Sequence, residues 1–411
     1  MDDSLKTRAD NNILGTYKRF PVTFTQGQGN HLLDTNNKTY LDLGGGIAVN
    51  SLGHSHPEIV STIAEQASKL SHISNLYWNI PQIELAEKIN ESLDNKGRVF
   101  FCNSGAEANE CLLKLARKFG SQTKRHKIVT ALQSFHGRTF GGMSATGQDK
   151  IKKGFEPLLQ GFTHVPFNDF DALKNACDEQ TCAILIEGIQ GESGIVPATA
   201  EYLKNIRELC DRNNMLFMMD GVQCGFFRTG SFQSYQAIVQ DPKITAPDAI
   251  AMAKSMGAGF PIGAAWINEK HSTVLDYGSH GSTYGGNPLA CAVSLKTFEI
   301  IKRDDLAKNV TELGEYLISG LQKLKNDFPD KIKQIRGLGF IIGVEFSEIN
   351  RPAEFKDLTT AAYLTLSCLD NGLLVVPAGT NVIRLLPALN TKKPDLDEGL
   401  EKLSQTLSNL K

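Results

Sequence analysis

The sequence lacks the long apolar run and the excess of charge that mark membrane proteins and nucleic-acid-binding proteins. No apolar stretch approaches the roughly 18 residues that a membrane-spanning helix requires. The 43 basic residues are balanced by 45 acidic ones, which gives a net charge of −2. No general electrostatic attraction to nucleic acid or to an anionic membrane is therefore expected. We predict a protein with neither kind of partner.

Cysteine and histidine are present, but not in the spacings of disulfide frameworks or metal sites. The eight cysteines include no Cys-x-x-Cys pair, and Cys102 and Cys182 lie in apolar, strand-like runs, so we expect reduced core thiols. His54 and His56 in LGHSHP come nearest to a metal spacing and are interpreted as loop or packing residues. The start, MDDSLKTRADNN, is polar where a signal peptide would be basic and then apolar. These features favour a cytoplasmic protein without a metal site.

The pattern of the chain indicates an α/β protein with two domains. A length of 411 residues exceeds one ordinary core. Between about residues 55 and 290, short apolar runs alternate with amphipathic helical stretches, which predicts a mostly parallel sheet buried on both faces. The candidate strands of this part are 98–102, 127–132, 182–187, 215–220, 248–253 and 262–267. Earlier, HLLDTNNKTYLDL predicts a strand pair, and after residue 310 the strands 340–346 and 381–386 predict a smaller α+β domain.

Polar residues follow several of the predicted strands. In open α/β sheets, ligands bind beyond the carboxyl ends of the strands, so we expect these residues to meet in one crevice. They are Asn103-Ser104-Gly105, Phe135-His136-Gly137-Arg138, Glu187, Asp220 and Lys254.

Three of these features together indicate a cofactor. NSGAEAN (103–109) ends a strand and begins a helix, which is either an ordinary helix cap or a phosphate-binding turn. Asp220 would form either a structural salt bridge or a pair with a pyridinium nitrogen. Lys254 would either extend to solvent or form a Schiff base with an aldehyde. A lysine, a pyridinium-binding aspartate and a phosphate seat are what pyridoxal 5′-phosphate requires, so the set favours that cofactor over the separate structural explanations.

Seven stretches, taken in order, give the sequence a specific family resemblance. They are LDLGGGIAVNSLGHSHPEI, NSGAEANE, FHGRTFGGMSATGQ, IEGIQGESG, DGVQCGFFRTG, PDAIAMAKSMGAGFPIG and GSHGSTYGGNPLACA. Over nearly its whole length the chain resembles the class III pyridoxal-phosphate-dependent aminotransferases, and within them the acetylornithine group. The resemblance implies fold type I, with a seven-stranded, mainly parallel sheet in residues 55–300. It also implies a smaller α+β domain made from residues 1–54 and 301–411, and a homodimer with shared active sites.

The resemblance also implies a role for each matching site residue. Lys254 forms the Schiff base and moves the proton, and Asp220 pairs with the ring nitrogen. Gln223 hydrogen-bonds the ring hydroxyl, and Phe135 stacks on the ring. The phosphate is held by Ser104, Gly105 and Ala106, and by Thr283 of the other subunit. The predicted substrate-binding residues are Ser282, Arg138 for a carboxylate, Arg384 for the α-carboxylate of glutamate, and Glu192 to mask Arg384.

The implied reaction transfers an amino group from N2-acetylornithine to 2-oxoglutarate, in a pathway of arginine biosynthesis. Succinylornithine, ornithine, 4-aminobutyrate and succinyl-diaminopimelate are alternative donors, and a catalytically silent pyridoxal-phosphate binder is an alternative of another class. Two positions depart from the family pattern. Gly188 stands where the family usually has proline, and Gly221 stands where it usually has glutamate. We expect both changes to loosen the backbone beside the site without removing a cofactor contact.

Overall fold

The computed structural model describes residues 3–410 and contains four sheets flanked by helices. The strands are β1 (Phe24–Gln28), β2 (His31–Asp34), β3 (Thr39–Asp42), β4 (Gly97–Cys102), β5 (Lys127–Ala131), β6 (Phe162–Val165), β7 (Thr181–Glu187), β8 (Ile189–Gln190), β9 (Val196–Pro197), β10 (Leu216–Asp220), β11 (Ala249–Met252), β12 (Gly263–Asn268), β13 (Ile332–Leu338), β14 (Ile341–Phe346), β15 (Leu373–Leu374), β16 (Val376–Ala378) and β17 (Val382–Leu385).

The helices cover the sheets and connect their strands. They are α1 (Asp3–Asn12), α2 (Gly45–Ala48), α3 (Pro57–Lys69), α4 (Ile80–Leu93), α5 (Gly105–Ser121), α6 (Phe140–Ala145), α7 (Phe170–Ala176), α8 (Ala200–Asn213), α9 (Ser234–Ile238), α10 (Pro288–Arg303), α11 (Leu306–Asp327), α12 (Thr360–Asp370) and α13 (Lys393–Asn409), with short 3₁₀ turns at Asp149–Ile151, Lys254–Gly257 and Ala353–Phe355. No helix within residues 3–410 is long and apolar enough to cross a membrane.

The central sheet has seven strands in the order β4-β12-β11-β10-β7-β5-β6. All of its neighbouring pairs are parallel except those of β12, which runs antiparallel to β11 and to β4. Every residue of β7 and β10 is buried, as expected for strands covered on both faces. The predicted mainly parallel sheet is confirmed, and all six candidate strands from 98 to 267 belong to it.

Helices α5 and α8 both begin with a side-chain cap. Ser104 precedes α5, and its hydroxyl accepts the Glu107 N–H at 3.2 Å. Thr199 caps α8 in the same way through the Tyr202 N–H. Such caps satisfy donors that have no partner inside the helix, so each helix begins at a defined residue. For α5 this places its first turn directly at the end of β4.

The smaller sheets join distant parts of the chain. The order β1-β2-β3-β15 brings Leu373 and Leu374 beside Leu41 and Asp42 in parallel register. A second sheet, β13-β14-β17-β16, is antiparallel throughout, and β8 and β9 form a separate hairpin. The predicted strand pair near residue 35 is present as β2 and β3, and the strands predicted at 340–346 and 381–386 are β14 and β17.

The short turn α2 is left-handed. Gly45, Gly46, Ile47 and Ala48 all have φ between 53° and 64°. This conformation is unfavourable for a β-branched residue such as Ile47, with a typical cost of about 1–3 kcal/mol. The turn is tied to the segment after β11, because the Ser255 hydroxyl donates to the Ala48 carbonyl at 2.9 Å. Its strained backbone therefore packs next to Lys254.

Candidate active site

A cavity of about 230 Å³ lies beyond the carboxyl ends of β5, β7, β10 and β11. It brings together most of the polar residues that follow the predicted strands, as predicted from their positions at the strand ends. The residues that line it include Gly105, Ala106, Asn109, Phe135, His136, Arg138, Glu187, Glu192, Asp220, Gln223 and Lys254. Within residues 3–410, no group of three or more His, Cys, Asp or Glu side chains is arranged to hold a metal ion.

Asp220 ends β10 and is fixed by three hydrogen bonds. Its Oδ2 accepts Asn109 Nδ2 at 2.7 Å and lies 2.8 Å from His136 Nδ1. Its Oδ1 accepts the Val222 N–H at 3.0 Å. Because a carboxylate only accepts, the bond from His136 requires the proton on Nδ1. Asp220 is buried at 4% exposure, so its orientation in the cavity is set by these partners.

Lys254 lies two residues beyond β11, at the start of a 3₁₀ turn, with φ of 50°. No group within residues 3–410 lies at hydrogen-bond or ion-pair distance from its Nζ. Burial lowers the pKa of Lys254 below its ordinary value, and Arg384 adds to this effect, although Glu192 and Asp220 oppose it. A partly buried amine without a partner and with a lowered pKa is suited to nucleophilic attack.

Glu187, at the end of β7, contributes a second buried carboxyl group beside Asp220. Burial raises its pKa well above the ordinary range, and repulsion by Asp220 adds to the rise. The Phe135 N–H donates to Glu187 Oε2 at 3.4 Å, which links this carboxyl group to the aromatic residue of the cavity. Two carboxylates in one desolvated place would repel each other, which favours the neutral form of Glu187.

The first turn of α5 forms another wall of the cavity. Gly105 lies against Val222, and a Cβ at position 105 would come within 2.6 Å of Val222 Cγ1. The Ser104 hydroxyl also donates to Glu107 Oε2 at 2.9 Å, and Ser104 itself is not among the residues that line the cavity. The positive end of the helix, with the backbone of Gly105 and Ala106, therefore faces the cavity and is suited to an anion.

Glu192, Gln223 and Arg384 form one hydrogen-bonded group. Arg384 on β17 is buried, and its Nη1 donates to Glu192 Oε1 at 2.7 Å and to Gln223 Oε1 at 3.0 Å. Gln223 Nε2 donates to Glu192 Oε1 at 3.2 Å. Burial would raise the pKa of Glu192, but attraction to Arg384 outweighs it and holds the pKa below its ordinary value. Both predicted members of the masking pair are in contact, and Gln223 connects them to the cavity.

The remaining predicted residues, two for the substrate and one for the phosphate, lie at the periphery of the cavity. Arg138 is exposed, with its guanidinium 5.7 Å from the centre of the Phe135 ring, and it lines the cavity. Ser282 and Thr283 do not line it. The Ser282 hydroxyl accepts the Gly285 N–H at 2.9 Å and Asn103 Nδ2 at 3.4 Å, while Thr283 is exposed. Within a single chain, these two residues therefore lie outside the cavity that holds Lys254.

Gly188 and Gly221, the two departures from the family pattern, are tightly packed. A Cβ at position 188 would overlap the Ser234 hydroxyl, and one at position 221 would overlap Gln233 Oε1. Both backbones are hydrogen-bonded: Gly188 O accepts the Ala198 N–H, and the Gly221 N–H donates to Ala251 O. Gln233 and Ser234 occupy the space that side chains at these positions would need, so both glycines permit close packing beside the site.

Sequence reasoning assigned no role to two residues that hold Asp220. Asn109 lies on the buried face of α5, where an amide side chain needs a partner. His136 was placed in the crevice but given no function, and the structure buries it at 1% exposure against Asp220. The signal available for Asn109 was a polar residue at a buried helical position. For His136, only the three-dimensional contact identifies the partner.

The donor set fits a phosphorylated pyridine aldehyde. Lys254 supplies a free amine, Asp220 an anion for a protonated ring nitrogen, Phe135 an aromatic face and α5 the positive end of a helix. The amine lies in the same cavity as the carboxylate and has no protein partner there. This combination is what the sequence predicted for pyridoxal phosphate, and the structure assembles it.

Comparison with known proteins extends this result from the site to the whole chain. The family model of the class III aminotransferases matches residues 15–407. The acetylornithine aminotransferase of Caldanaerobacter subterraneus is 44% identical over 402 residues, which cover 97% of this chain and 98% of the relative. That of Neisseria meningitidis serogroup B is 44% identical over 395 residues, which cover 94% and 95%.

Solved structures of the same family share the fold. The ornithine aminotransferase of Toxoplasma gondii, crystallised with partial occupancy of PLP at its active site, superposes with a TM-score of 0.91 at 28% identity, covering 100% of this chain and 95% of that one. The N-acetylornithine aminotransferase of Stenotrophomonas maltophilia gives a TM-score of 0.80 at 32% identity, covering 98% of both chains. The predicted family, fold type and cofactor are confirmed. This chain belongs to the class III aminotransferases, which are pyridoxal-phosphate-dependent enzymes of fold type I.

Proposed function

We propose that the protein transfers the terminal amino group of N2-acetylornithine to 2-oxoglutarate, in two half-reactions at one site. The observation that carries this proposal is the unpartnered Lys254 amine in the same cavity as Asp220, with the Glu192–Arg384 pair beside it. The relatives from Caldanaerobacter and Neisseria, which match nearly the whole chain, support acetylornithine as the donor.

The cofactor would be held by residues already in place around the cavity. Lys254 would carry it covalently, Asp220 would pair with its ring nitrogen, and Phe135 would cover its ring. Gly105 and Ala106 would offer backbone N–H groups to its phosphate, with Ser104 holding the turn. When bound, the cofactor supplies an aldehyde and a ring that accepts electrons from the substrate carbon. The lowered pKa of Lys254 makes that side chain more ready to release a proton from its Nζ, which suits it to proton transfer.

Substrate binding would use the two arginines differently. Arg138 is exposed at the cavity wall and has no ion-pair partner within residues 3–410, so it is free to bind a substrate carboxylate as a bidentate fork. Arg384 is paired with Glu192, and we infer that glutamate displaces Glu192 with its own α-carboxylate. Acetylornithine presents methylene groups near the reacting amine, and Glu192 would then stay on Arg384. Ser282 would lie beside the substrate.

We further propose a homodimer with shared active sites in the cytoplasm. Leu76 and Trp78 are 86% and 90% exposed, and Asn75 Nδ2 donates to the carbonyls of Ser282 and Gly285. An exposed apolar segment is therefore joined to the loop that carries Thr283. Large exposed apolar side chains of this kind mark protein interfaces. Thr283 would reach the phosphate of the neighbouring subunit.

Ornithine is the second candidate donor. The overall fold superposes with a higher TM-score on the ornithine aminotransferase of Toxoplasma gondii than on the N-acetylornithine enzyme of Stenotrophomonas maltophilia. Ornithine carries a free α-amine where acetylornithine carries an uncharged amide. The two donors therefore differ by one charge far from the reacting amine.

A donor panel tests the proposed function. Turnover would be measured with 2-oxoglutarate and acetylornithine, succinylornithine, ornithine, 4-aminobutyrate or succinyl-diaminopimelate. We expect kcat/KM for acetylornithine to exceed that of ornithine by about tenfold or more. Glutamate alone should change the absorbance of the bound cofactor, and Lys254→Ala should abolish this change. A cofactor spectrum that glutamate leaves unchanged in the unmutated protein would identify a silent binder, and a higher kcat/KM for another donor would reassign the substrate.

A further inference from the structure

Glu192 lies in the tip of the β8–β9 hairpin, a loop of five residues from 191 to 195. Ile189 pairs with Pro197 and Gln190 with Val196 on either side of it. Within the tip, Gly194 and Ile195 have φ of 109° and 57°. A left-handed conformation is unfavourable for β-branched Ile195, so contacts from outside the hairpin must hold this backbone.

Three residues of the β13-β14-β17-β16 sheet form a seat for this tip. Arg336 on β13 is paired with Gly343 on β14, and Gly343 is paired with Arg384 on β17. Residues directly opposite each other in an antiparallel sheet project from the same face. Arg336 and Arg384 therefore flank Gly343 on one face of the sheet, each on an adjacent strand about 5 Å away. We call Arg336, Gly343 and Arg384 the hairpin seat.

The seat holds the tip at both ends and beneath. Arg384 Nη1 donates to the Gly191 carbonyl at 3.1 Å in addition to its bonds with Glu192. At the other end, Arg336 Nε donates to Gly194 O at 2.7 Å and to Ile195 O at 3.1 Å.

The middle of the seat admits the tip only because residue 343 has no side chain. A Cβ there would lie 2.9 Å from Ile195 Cβ and 3.0 Å from Gly194 O. The backbone of the tip is thus held on both sides of Glu192.

The contacts of Arg336 distinguish it from its neighbour Lys333. Both side chains bind Glu345, Arg336 through Nη1 and Lys333 through Nζ at 3.1 Å. Only Arg336 reaches the hairpin. Removing Arg336 would leave Glu345 with Lys333 and with Asn381 Nδ2 at 3.3 Å, so the carboxylate would keep partners.

We propose that Arg336 and Gly343 are positioning residues that set the specificity of the Glu192–Arg384 pair, a role that rests on the proposed function. By fixing the hairpin tip, they keep Glu192 on Arg384 when the donor has no carboxylate next to its reacting amine. Acetylornithine needs this masking, because a bare guanidinium would otherwise face its methylene groups. Glutamate does not need it, because its own α-carboxylate replaces Glu192. Loss of the Arg336 contacts, or a side chain at position 343, should therefore slow the acetylornithine half-reaction more than the glutamate half-reaction.

Single-turnover rates with each donor test this role in four variants of the cofactor-loaded enzyme. Arg336→Met removes both bonds to the tip, and Gly343→Ala pushes the tip outward. For both, we expect the ratio of acetylornithine to glutamate rate constants to fall by about fivefold. Arg336→Lys keeps the positive charge but loses the planar guanidinium and its several donors. Its ratio of rate constants should therefore lie between those of the wild type and Arg336→Met. Lys333→Met, the matched control, should leave the ratio unchanged.

The outcomes separate this proposal from the proposed function. Arg336→Met or Gly343→Ala variants that slow both half-reactions equally, or change neither, would overturn the positioning role while the unmutated enzyme still uses both donors. If Lys333→Met changed the ratio as much as Arg336→Met does, the positioning role would also be overturned, since Lys333 does not touch the hairpin. An unmutated enzyme that does not react with acetylornithine would instead overturn the proposed function. Circular dichroism and thermal melting of each variant identify losses that come from unfolding.

Discussion

Gln233 fills the space beside two glycines that follow β10. Its Oε1 would lie 2.3 Å from a Cβ at Gly221 and 2.5 Å from one at Gly225, and its side chain is fully buried. The neighbouring hydroxyl of Ser234 does the same for Gly188. Gly221 directly follows Asp220, so the packing around Gln233 bears on the placement of the Asp220 carboxylate.

This packing predicts a non-additive pair of substitutions. Gly221→Ala alone should lower the free energy of unfolding by about 1–3 kcal/mol, because the new methyl group overlaps Gln233 Oε1. In a Gln233→Ala background, the same change should cost about 1 kcal/mol less, since the overlapping group is gone. Urea unfolding of the four proteins at one protein concentration measures the coupling.

Gly225→Ala provides the matched control for this cycle. A Cβ at position 225 would meet the backbone oxygen of Gly221 as well as Gln233 Oε1. Shortening Gln233 leaves the first overlap in place, so Gln233→Ala should not rescue Gly225→Ala. Equal rescue at both positions, or no rescue at Gly221, would contradict the packing described here.

Some residues of the site could be predicted from the sequence, whereas the contacts between them could not. Lys254 and Asp220 were predictable because both follow apolar strands, and the ends of such strands meet at a known edge of the sheet. The contacts of Asp220 with Asn109 and His136 were not, because they join residues 84 to 111 positions apart. Gln223 was assigned to the cofactor from the family resemblance. Its bonds to Glu192 and Arg384 depend on how β17 packs against the hairpin.

At the scale of elements, the β8–β9 hairpin presents Glu192 to Arg384 of another sheet. Glu192 is only partly exposed, with 28% of its side chain accessible, whereas Arg384 is almost fully buried. Removing one partner of such a pair leaves a buried charge without compensation. The consequence depends on which substrate then occupies the site.

Glu192→Ala should separate the two half-reactions. The glutamate half-reaction is expected to keep its rate or to become faster, since the substrate carboxylate meets a free Arg384. The acetylornithine half-reaction should slow by about tenfold, which corresponds to a loss of about 1.4 kcal/mol in transition-state stabilisation. Single-turnover measurements with each donor give both rates. A parallel loss in the two half-reactions would instead indicate a fixed structural ion pair.

Strands that form a continuous apolar run could be predicted from the sequence more readily than strands that do not. β7 and β10 are buried along their whole length and were found from their sequence. β6 was missed, because Phe162–Val165 includes a threonine and a histidine and lies at the edge of the sheet. The two-residue strands β8, β9 and β15 are too short to carry a period, and their pairing depends on tertiary contacts.

At the scale of the whole molecule, the exposed apolar segment at Leu76–Trp78 and the Thr283 loop lie on one surface. The cavity of a single chain contains Lys254, but neither Ser282 nor Thr283 lines it. A dimer that covers this surface would bring the loop of one subunit to the cavity of the other.

Hybrid dimers test this arrangement. Lys254→Ala and Thr283→Asp chains should each be inactive alone, the first without its amine and the second with a carboxylate placed against the phosphate. After subunit exchange, one site in each mixed dimer has both residues intact, so an equal mixture should recover about a quarter of the wild-type activity. Native mass spectrometry confirms the exchange. Mixed dimers without activity, or an active Thr283→Asp chain, would contradict a shared site.

The pairing of β3 with β15 has a consequence for the synthesis of the protein. Leu41 and its partner Leu373 are about 330 residues apart in the chain. At roughly 5–20 residues per second, a ribosome needs on the order of 15–65 s to make the intervening segment. During that time β1, β2 and β3 have already been synthesised, and the edge of β3 that pairs with β15 stays unpaired while the central sheet is completed. The first strands to be synthesised are thus among the last to complete their pairing. Chaperones that bind nascent chains would therefore act on this edge first.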